Sequence, residues 1–147
     1  MIDHTDRIII RTLYERGRVS FRDLAEQIHL SPNATAGRVR RLVERRVIKG
    51  FHADVDLAQV GLSLHAYIDV KLSAATNAKK FEASMTALAG VISVEILTGA
   101  FDLRLRVACR DQEDLIRVIE DIRSKTGVQE TNSTLICRRA TAYGLQL

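Results

Sequence analysis

The chain has 147 residues and a formal net charge of +4; 46% of its residues are hydrophobic, 27% are charged and two are cysteines. This composition excludes an intrinsically disordered chain, a disulfide scaffold and a cysteine-caged metal, and the length allows one domain or two small ones. Because no apolar run approaches the roughly 18 residues that a membrane span needs and the N-terminal residues lack the pattern of a secretory signal, we expect a cytoplasmic protein with no membrane partner. Two cysteines are too few to cage a metal, and we expect neither a metal nor a cofactor.

The first two predicted helices lie within the first 30 residues. Thr5 or Asp6 is placed to cap the first helix, and Gly17 is placed to close it in a left-handed conformation. Ser20 followed three residues later by Asp23 resembles a capping box at the start of the second helix. Each helix carries an apolar stripe at helical spacing, which predicts that one side of it is buried.

The third helix has the strongest local start signal in the chain. Ser31 is a favoured N-cap, and Pro32 is preshaped for the first helical position. Only residues 29–31 separate this helix from the second, a spacing that predicts a helix-turn-helix motif. Its buried stripe is predicted to consist of Val39, Leu42 and Val43.

Residues 47–56, with the sequence VIKGFHADVD, alternate loosely around Gly50. This pattern predicts a short two-stranded wing after the helix-turn-helix. Residues 57–63 form a plausible connector to the rest of the chain. We therefore predict a winged helix-turn-helix DNA-binding domain over residues 1–56.

The remaining residues, 64–147, predict a second module of different character. Its expected strands and helices alternate in the order βαββαβ, which is that of a split-βαβ or ferredoxin-like module. The predicted elements are 64–72 (strand), 78–89 (helix), 91–99 (strand), 102–110 (strand), 111–127 (helix) and 128–140 (strand). The whole chain is thus predicted to be an α+β protein with two domains.

The positive charge is concentrated in residues 31–51, which contain six cations and one acid. Residues 1–30 hold five cations and five acids, and residues 52–147 hold eleven cations and twelve acids. Such a local excess indicates an electrostatic footprint for a polyanion, although a basic helix face is often only a solvated surface. The short turn, the Ser-Pro start and the predicted wing together favour DNA.

The second helix of a helix-turn-helix motif enters the major groove with its N-terminal residues near base edges. Asn33 can pair with adenine, Ala34 and Thr35 can contact thymine methyl groups, and Arg38 can pair with guanine. The cations farther along the helix are better placed for phosphates. Gly37 lies in mid-helix, where it costs roughly 1 kcal/mol against alanine.

A set of residues in the first domain follows a characteristic order: Asp6, Ile9–Ile10, Leu13, Gly17–Arg18, Ser20, Leu24–Ala25, LS at 30–31 and RVRRLVERRVIKGF at 38–51. With the second module, this order resembles the leucine-responsive/asparagine-responsive (Lrp/AsnC, feast-famine) transcriptional regulators over nearly the whole chain. The resemblance implies a winged helix-turn-helix followed by an αβ module that dimerises and senses small molecules, usually amino acids. One departure is Arg46, where the family usually has glycine.

The resemblance also implies an effector site in the second domain. TGAFD at 98–102 is similar to the family's Gly-x-Phe/Tyr-Asp turn, near which effectors bind between protomers, and GVQETNST at 127–134 is similar to the start of its last strand. Gly99 allows close backbone approach, and Asp102 offers an acceptor for an α-ammonium group. The implied effector residues are Thr98, Gly99, Ala100, Asp102, Thr131, Ser133 and Thr134.

A two-fold assembly follows both from DNA recognition and from the resemblance, because a palindromic promoter site requires a dimer and the family pairs its sheets. Strand alternation places Ala66 and Ile68 on one face and Tyr67 and Asp69 on the other. We expect at least a homodimer, in a family that also assembles into tetramers and octamers.

The predicted function is that of a sequence-specific, DNA-binding transcriptional regulator, associated with the nucleoid and controlled by a small-molecule effector for which an amino acid is the implied class. Base and backbone contacts to double-stranded DNA are predicted for Arg18, Ser20, Arg22, Ser31, Asn33, Ala34, Thr35, Arg38, Arg40, Arg41 and Lys49.

Three other functions compete with this prediction. An enzyme is disfavoured because the four histidines are scattered and no phosphate loop or nucleophile elbow occurs. An RNA-binding module of the same βαββαβ order would carry aromatic residues in its third strand, where this chain has DLRLRVACR. An effector-independent architectural protein that binds DNA with little sequence preference remains the alternative.

Overall fold

The computed structural model describes residues 1–142 and residue 144, which divide into two compact units. The first unit comprises Met1–Val55 and the second comprises Asp56–Arg139. Residues 140–142 and 144 group with the first unit, whereas the sequence analysis places them in the second domain, whose predicted end at 147 lies outside the described residues. No helix in the described part of the chain combines the length and the apolar composition needed to cross a membrane.

The first unit contains three helices around a small core. They are α1 (His4–Glu15), α2 (Phe21–Gln27) and α3 (Pro32–Glu44). Side chains from all three helices meet in the core, which is formed by Ile9, Leu24, Val39 and Leu42. Burial of one apolar side of each short helix supplies the stability that helices of this length lack in isolation.

The helix ends confirm two predicted caps and correct two others. Ser20 caps α2 and Ser31 caps α3, as predicted. The cap of α1 is Asp3, which forms a capping box with Asp6, so neither Thr5 nor Asp6 is the N-cap. The C-cap of the same helix is Arg16, and Gly17 does not take the predicted left-handed conformation.

The chain after α3 turns sharply instead of forming a strand. Arg46 has φ 55°, the left-handed conformation that glycine adopts without strain. The N–H groups of Val47 and Ile48 both donate to the carbonyl of Leu42, at 2.9 and 3.1 Å, and thereby satisfy the end of the helix. Residues 49–56, all within the described part of the chain, contain no strand, so the predicted two-stranded wing is not formed there.

The second unit is a four-stranded antiparallel sheet with two helices, as predicted. Its elements are β1 (Leu64–Leu72), α4 (Ala78–Met85), β2 (Val91–Ile96), β3 (Leu103–Cys109), α5 (Gln112–Arg123) and β4 (Val128–Leu135). The strands pair in the order β2-β3-β1-β4, so the two central strands are β3 and β1. The chain is therefore an α+β protein, with a helix-turn-helix followed by a βαββαβ module.

The sheet has one face covered by helices and one face without them. Ala66, Ile68 and Val70 of β1 are fully buried against α4 and α5, in the core of this unit. The side chains between them lie on the opposite side, which we call the open face. It includes Tyr67, Asp69, Lys71, Ser93, Glu95, Arg104 and Arg106, as the strand registers show.

Candidate DNA-binding surface and effector site

The connection between α2 and α3 is short and tightly hydrogen-bonded. His29 takes a left-handed conformation with φ 55°, and the N–H of Leu30 donates to the carbonyl of Ala25 at 3.0 Å. The Ser31 hydroxyl then accepts the N–H of Ala34 at 3.2 Å, which caps α3. These contacts fix the direction in which α3 leaves the turn.

The set of side chains that α3 buries differs from the predicted set. Val39 and Leu42 are buried as predicted, but Val43 is 40% exposed and Thr35 is 0% exposed. The Thr35 hydroxyl donates to the carbonyl of Ser31 at 3.0 Å, which satisfies it inside the unit. A side chain without exposed surface cannot contact a base, so the predicted DNA contact of Thr35 is wrong.

Arg38 is also drawn away from the outer surface of α3. Its Nη1 donates to Oδ2 of Asp3 at 2.6 Å and to Oδ1 of Asp6 at 2.8 Å, which ties α3 to the start of α1. The Asp6 N–H and then the Arg38 guanidinium hold the pKa of Asp3 below its ordinary value. The geometry therefore gives Arg38 a positioning role and does not support the predicted pairing with guanine.

The outer surface of α3 consists of the side chains opposite this buried side. Asn33, Ala34, Arg40 and Arg41 are exposed, and neither arginine has an acidic partner in the described part of the chain. A Cβ added to Gly37 would meet no atom within 4 Å, so no packing contact in this unit requires glycine there. This outer surface is thus basic, with a bare position near its middle.

The other predicted DNA contacts have mixed surroundings. Arg18 and Lys49 are exposed. Arg22 lies 3.5 Å from Glu26 in a pair whose side chains are both largely exposed, a type of contact that contributes little stability. The Ser20 hydroxyl donates to Oδ2 of Asp23 at 2.8 Å and accepts the N–H of the same residue at 3.1 Å, so it is engaged in capping α2.

In the second unit, Asp102 fastens the predicted effector turn to β1. Its Oδ2 accepts the N–H of Leu72 at 2.8 Å and lies 3.4 Å from the Lys71 ammonium. The Leu72 N–H, followed by the Lys71 charge, keeps the pKa of Asp102 below its ordinary value, so the group is a carboxylate at neutral pH. Its Oδ1 accepts no hydrogen bond from the described residues.

The three residues before this aspartate form an open turn. Thr98, Gly99 and Ala100 are all exposed, and Gly99 has φ 137°, which favours glycine. A Cβ built at Gly99 would meet no atom within 4 Å. The turn therefore presents accessible backbone groups, as the resemblance implies for an effector site.

The three hydroxyls predicted in the last strand do not converge on one place. Thr131 and Ser133 pair with Val70 and Ile68 of β1 and so share the helix-covered side of the sheet, whereas Thr134 pairs with Tyr67 on the open face. The hydroxyl of Thr131 also accepts the Nε–H of Arg123 at 2.7 Å. The three side chains cannot hold one carboxylate together within a single subunit.

A cleft of about 430 Å³ lies beside Asp102. Its lining is mostly small and polar and includes Lys71, Ser73, Thr76, Asp102 and Gln129. Sequence reasoning missed all of these except Asp102. No sequence pattern marks the others as a site. The fold brings them together, and in the turn after β1 the hydroxyls of Ser73 and Thr76 lie 2.8 Å apart. The cleft combines a carboxylate, an ammonium and hydroxyls, which are groups that complement a zwitterion.

No group of three or more histidine, cysteine, aspartate or glutamate side chains in the described residues is arranged to hold a metal ion. Cys109 is buried, and burial raises the pKa of its thiol. Cys137 is exposed.

Family models match both units of the chain. Residues 2–49 match a model described as winged helix-turn-helix DNA-binding, and residues 65–144 match the Lrp/AsnC ligand-binding domain. The chain belongs to the Lrp/AsnC family. It is a DNA-binding transcriptional regulator with a ligand-binding domain, and the family resemblance noted in the sequence is confirmed.

Individual members of the Lrp/AsnC family are similar along most of the chain. The HTH-type transcriptional regulator AldR of Mycolicibacterium smegmatis is 39% identical over 138 residues, covering 92% of this chain and 81% of that protein. The transcriptional regulator NMB0573 of Neisseria meningitidis, solved as an L-Met complex, has a TM-score of 0.86 at 28% identity and covers 97% of this chain and 94% of its own. A feast or famine regulatory protein of M. tuberculosis complexed with L-methionine has a TM-score of 0.89 at 28% identity, covering 97% and 96%. These relatives are named as regulators, which confirms the expectation that the chain is not an enzyme.

Proposed function

We propose that the protein recognises palindromic promoter sites as a homodimer and that its second unit senses an amino acid. The basic outer surface of α3 carries the first part of this proposal. Asn33, Arg40 and Arg41 are exposed there, while Thr35, Val39 and Leu42 hold the opposite side in the core. A helix presented in this way can enter the major groove without disturbing the packing of its unit.

Two roles divide the exposed residues. Asn33 and Ala34 lie at the N-terminal end of α3, where a docked helix reaches base edges, and they read the sequence. The cations bind phosphates: Arg18, Arg22, Arg40, Arg41 and Lys49. Since phosphate contacts carry no direct sequence information, the discrimination between sites rests on the first group.

The cleft beside Asp102 supports the effector part of the proposal. Oδ1 of Asp102 is available for an ammonium group, and the Lys71 ammonium, which lies 3.4 Å from Oδ2 of Asp102, lines the same cleft and can add a contact to a carboxylate. Two structural relatives were solved with L-methionine, which makes an amino acid the class of ligand to test first. A bound effector acts on DNA only to the extent that it favours one conformation or assembly over another.

The homodimer is proposed to form through the open face of the sheet. This face has no helical cover, and a dimer with two-fold symmetry matches the symmetry of a palindromic site. The place of action is then the nucleoid in the cytoplasm. Sedimentation equilibrium tests the assembly directly: a monomer at micromolar concentration contradicts it.

Fluorescence anisotropy with a promoter fragment and a scrambled fragment of equal length tests sequence-specific binding. If each dimer neutralises about 6–10 phosphates, affinity should fall by roughly 10³–10⁵ between 50 and 200 mM salt. We expect the promoter fragment to retain an advantage at the higher salt. Equal affinities there would favour the effector-independent architectural protein.

Thermal unfolding with each of the twenty amino acids at millimolar concentration tests the effector. A ligand at 100 times its Kd stabilises the folded state by about 2.7 kcal/mol, which raises the midpoint by several degrees. We expect a selective shift that disappears in Asp102→Ala. No shift with any amino acid would leave the DNA-binding role intact and remove the amino-acid sensor.

A further inference from the structure

A second cleft lies on the open face, apart from the one beside Asp102, and three arginines line it. Its volume is about 480 Å³, and the arginines are Arg104, Arg106 and Arg139. The hydroxyl-bearing Tyr67 and Ser93 lie opposite Arg106 in the strand register on either side. One acid, Glu95, is also part of the lining.

Arg104 is already paired with a carboxylate of the same sheet, that of Asp69. Its Nε and Nη2 donate to the two oxygens of Asp69 at 2.7 and 2.9 Å, a bidentate pair. Its guanidinium also lies 5.1 Å from the centre of the Tyr67 ring, in a cation–π contact. This arginine is therefore fixed in place and forms one wall of the cleft.

Arg106 lacks such a partner. Its Nε is shielded from solvent and has no hydrogen-bond acceptor among the described residues. A buried donor without an acceptor costs free energy, so this position favours the arrival of an acceptor from outside the chain. Arg139 forms no ion pair in the described part of the chain, and Glu95 pairs with neither of these two arginines.

We propose that this cleft is an anion-binding site that takes a small molecule bearing a carboxylate or a phosphate group. The guanidinium of Arg106 donates to the anion, Arg139 adds a second positive charge, and the planar arginine fork suits both kinds of oxyanion. In a homodimer built on the open face, two such clefts would approach each other. Bound anions would then offset the repulsion between the arginines of the two protomers.

Calorimetric titration and thermal unfolding of the full chain, in a chloride-balanced buffer of constant ionic strength, test this site. Inorganic phosphate and succinate are the two probes, and they distinguish the phosphate source from the carboxylate source. We expect saturable binding of at least one probe. Arg106→Gln and Arg139→Gln should each weaken it by about tenfold or more, since each removes a charged donor.

Lys79→Gln is the matched control, because it removes the same charge from an exposed position on α4. It should bind the probe as the unaltered chain does. If Arg106→Gln fails to fold, the comparison uses Arg139→Gln, since Arg139 lies outside the strands.

The proposal is overturned if neither probe binds saturably, or if both glutamine variants bind like the control. An altered dimer dissociation constant in Arg106→Gln without probe binding would overturn it too, and would assign Arg106 to a second copy of the chain. DNA binding by α3 is measured independently, so either result leaves the proposed function to its own test.

Discussion

At the scale of single residues, Arg38 shows how one contact changes the role of a side chain. The sequence places it on the basic stripe of α3, but its guanidinium lies between Asp3 and Asp6 of the α1 capping box. The contact spans 35 residues of sequence, and no local pattern predicts it. The set of α3 residues that face the core was predicted incorrectly for a related reason. Val43 is as apolar as Val39, and only tertiary packing decides that Thr35 is buried and Val43 is exposed.

Arg38→Met should lower the thermal midpoint of unfolding by several degrees, because it leaves the buried Asp6 carboxylate without its cation. It should weaken binding to promoter and scrambled DNA by the same factor, as expected of a positioning residue. Asp6→Asn should likewise weaken binding to promoter and scrambled DNA by the same factor, as measured by fluorescence anisotropy. A loss of discrimination confined to Arg38→Met would instead show that Arg38 reads a base.

Asp3→Asn should reveal the pH dependence of the same contact. Asparagine also caps helices well, so the variant removes the charge and keeps the cap. The Asp3 pKa is lower in the folded than in the unfolded chain, so its contribution to stability is full above about pH 4 and is lost as the pH falls further. Denaturant unfolding at a series of pH values should show the variant less stable than the parent near neutrality and similar to it in acid. A constant difference across the series would contradict the ionic contribution.

Gly37→Ala should stabilise the protein by about 1 kcal/mol, since alanine is the better helix former and the added Cβ meets no neighbour. Urea unfolding measures this change, and Ala36→Gly is the control of opposite sign on the same helix. Because Gly37 lies on the outer surface of α3, the methyl group should also weaken DNA binding if that surface enters the groove closely. Stabilisation without any effect on DNA affinity would place the DNA contact elsewhere on the helix.

At the scale of helices and strands, local chemistry predicts starts better than ends. Ser20 and Ser31 are caps because their hydroxyls need no distant partner, and β1 matches its predicted range of Leu64–Leu72 because one face alternates into a core. The helix predicted to reach residue 89 ends at Met85 instead. Leu88 still packs against the core from the turn that follows, so its apolar character does not report the end of α4.

The same distinction applies to the two candidate sites. The exposed cations of α3 follow from composition and spacing, whereas the cleft beside Asp102 requires the end of β1 to lie next to the β2–β3 turn. Strand alternation alone indicates that Thr134 faces away from Thr131 and Ser133. Alternation does not indicate that Arg123 of α5 donates a hydrogen bond to the hydroxyl of Thr131.

Ser31→Ala should destabilise the first unit by about 1 kcal/mol, because the N–H of Ala34 loses its acceptor at the start of α3. Ser31→Asn keeps a capping side chain and should restore most of this stability. Guanidinium unfolding of both variants measures the cap. If asparagine restores stability but not DNA affinity, the Ser31 hydroxyl also contacts DNA, as the sequence predicts.

At the scale of the whole molecule, the excess positive charge is concentrated in the first unit. The segment at residues 31–51 has a net charge of +5, with six cations and one acid, whereas the rest of the chain has a net charge of −1. Screening at physiological salt acts over about 8 Å, so DNA attraction is confined to the surface of α3 and its surroundings. Assembly is proposed to use a different surface, the open face of the second unit.

Arg41→Ala and Lys49→Ala should each reduce the dependence of log affinity on log salt concentration by about 1 for every phosphate that the variant no longer neutralises. Both should weaken promoter and scrambled DNA alike, as measured by anisotropy over a salt series. Lys79→Ala, with the same change of charge in the second unit, should leave the slope unchanged. Equal slopes for all three variants would mean that net charge, and not these positions, governs binding.

If an effector binds beside Asp102 as proposed, the contact between Asp102 and β1 would make the backbone amide of Leu72 a reporter of its occupancy. The backbone N–H of Asp102 donates to the Val70 carbonyl at 3.0 Å, and the Asp102 carboxylate accepts the N–H of Leu72. An effector ammonium at Oδ1 would order that carboxylate, so the Leu72 amide could open only after the ligand leaves. The amide should then exchange its hydrogen with deuterated water more slowly as the effector concentration rises. A single exchange rate thus allows ligand affinity to be measured in the absence of DNA.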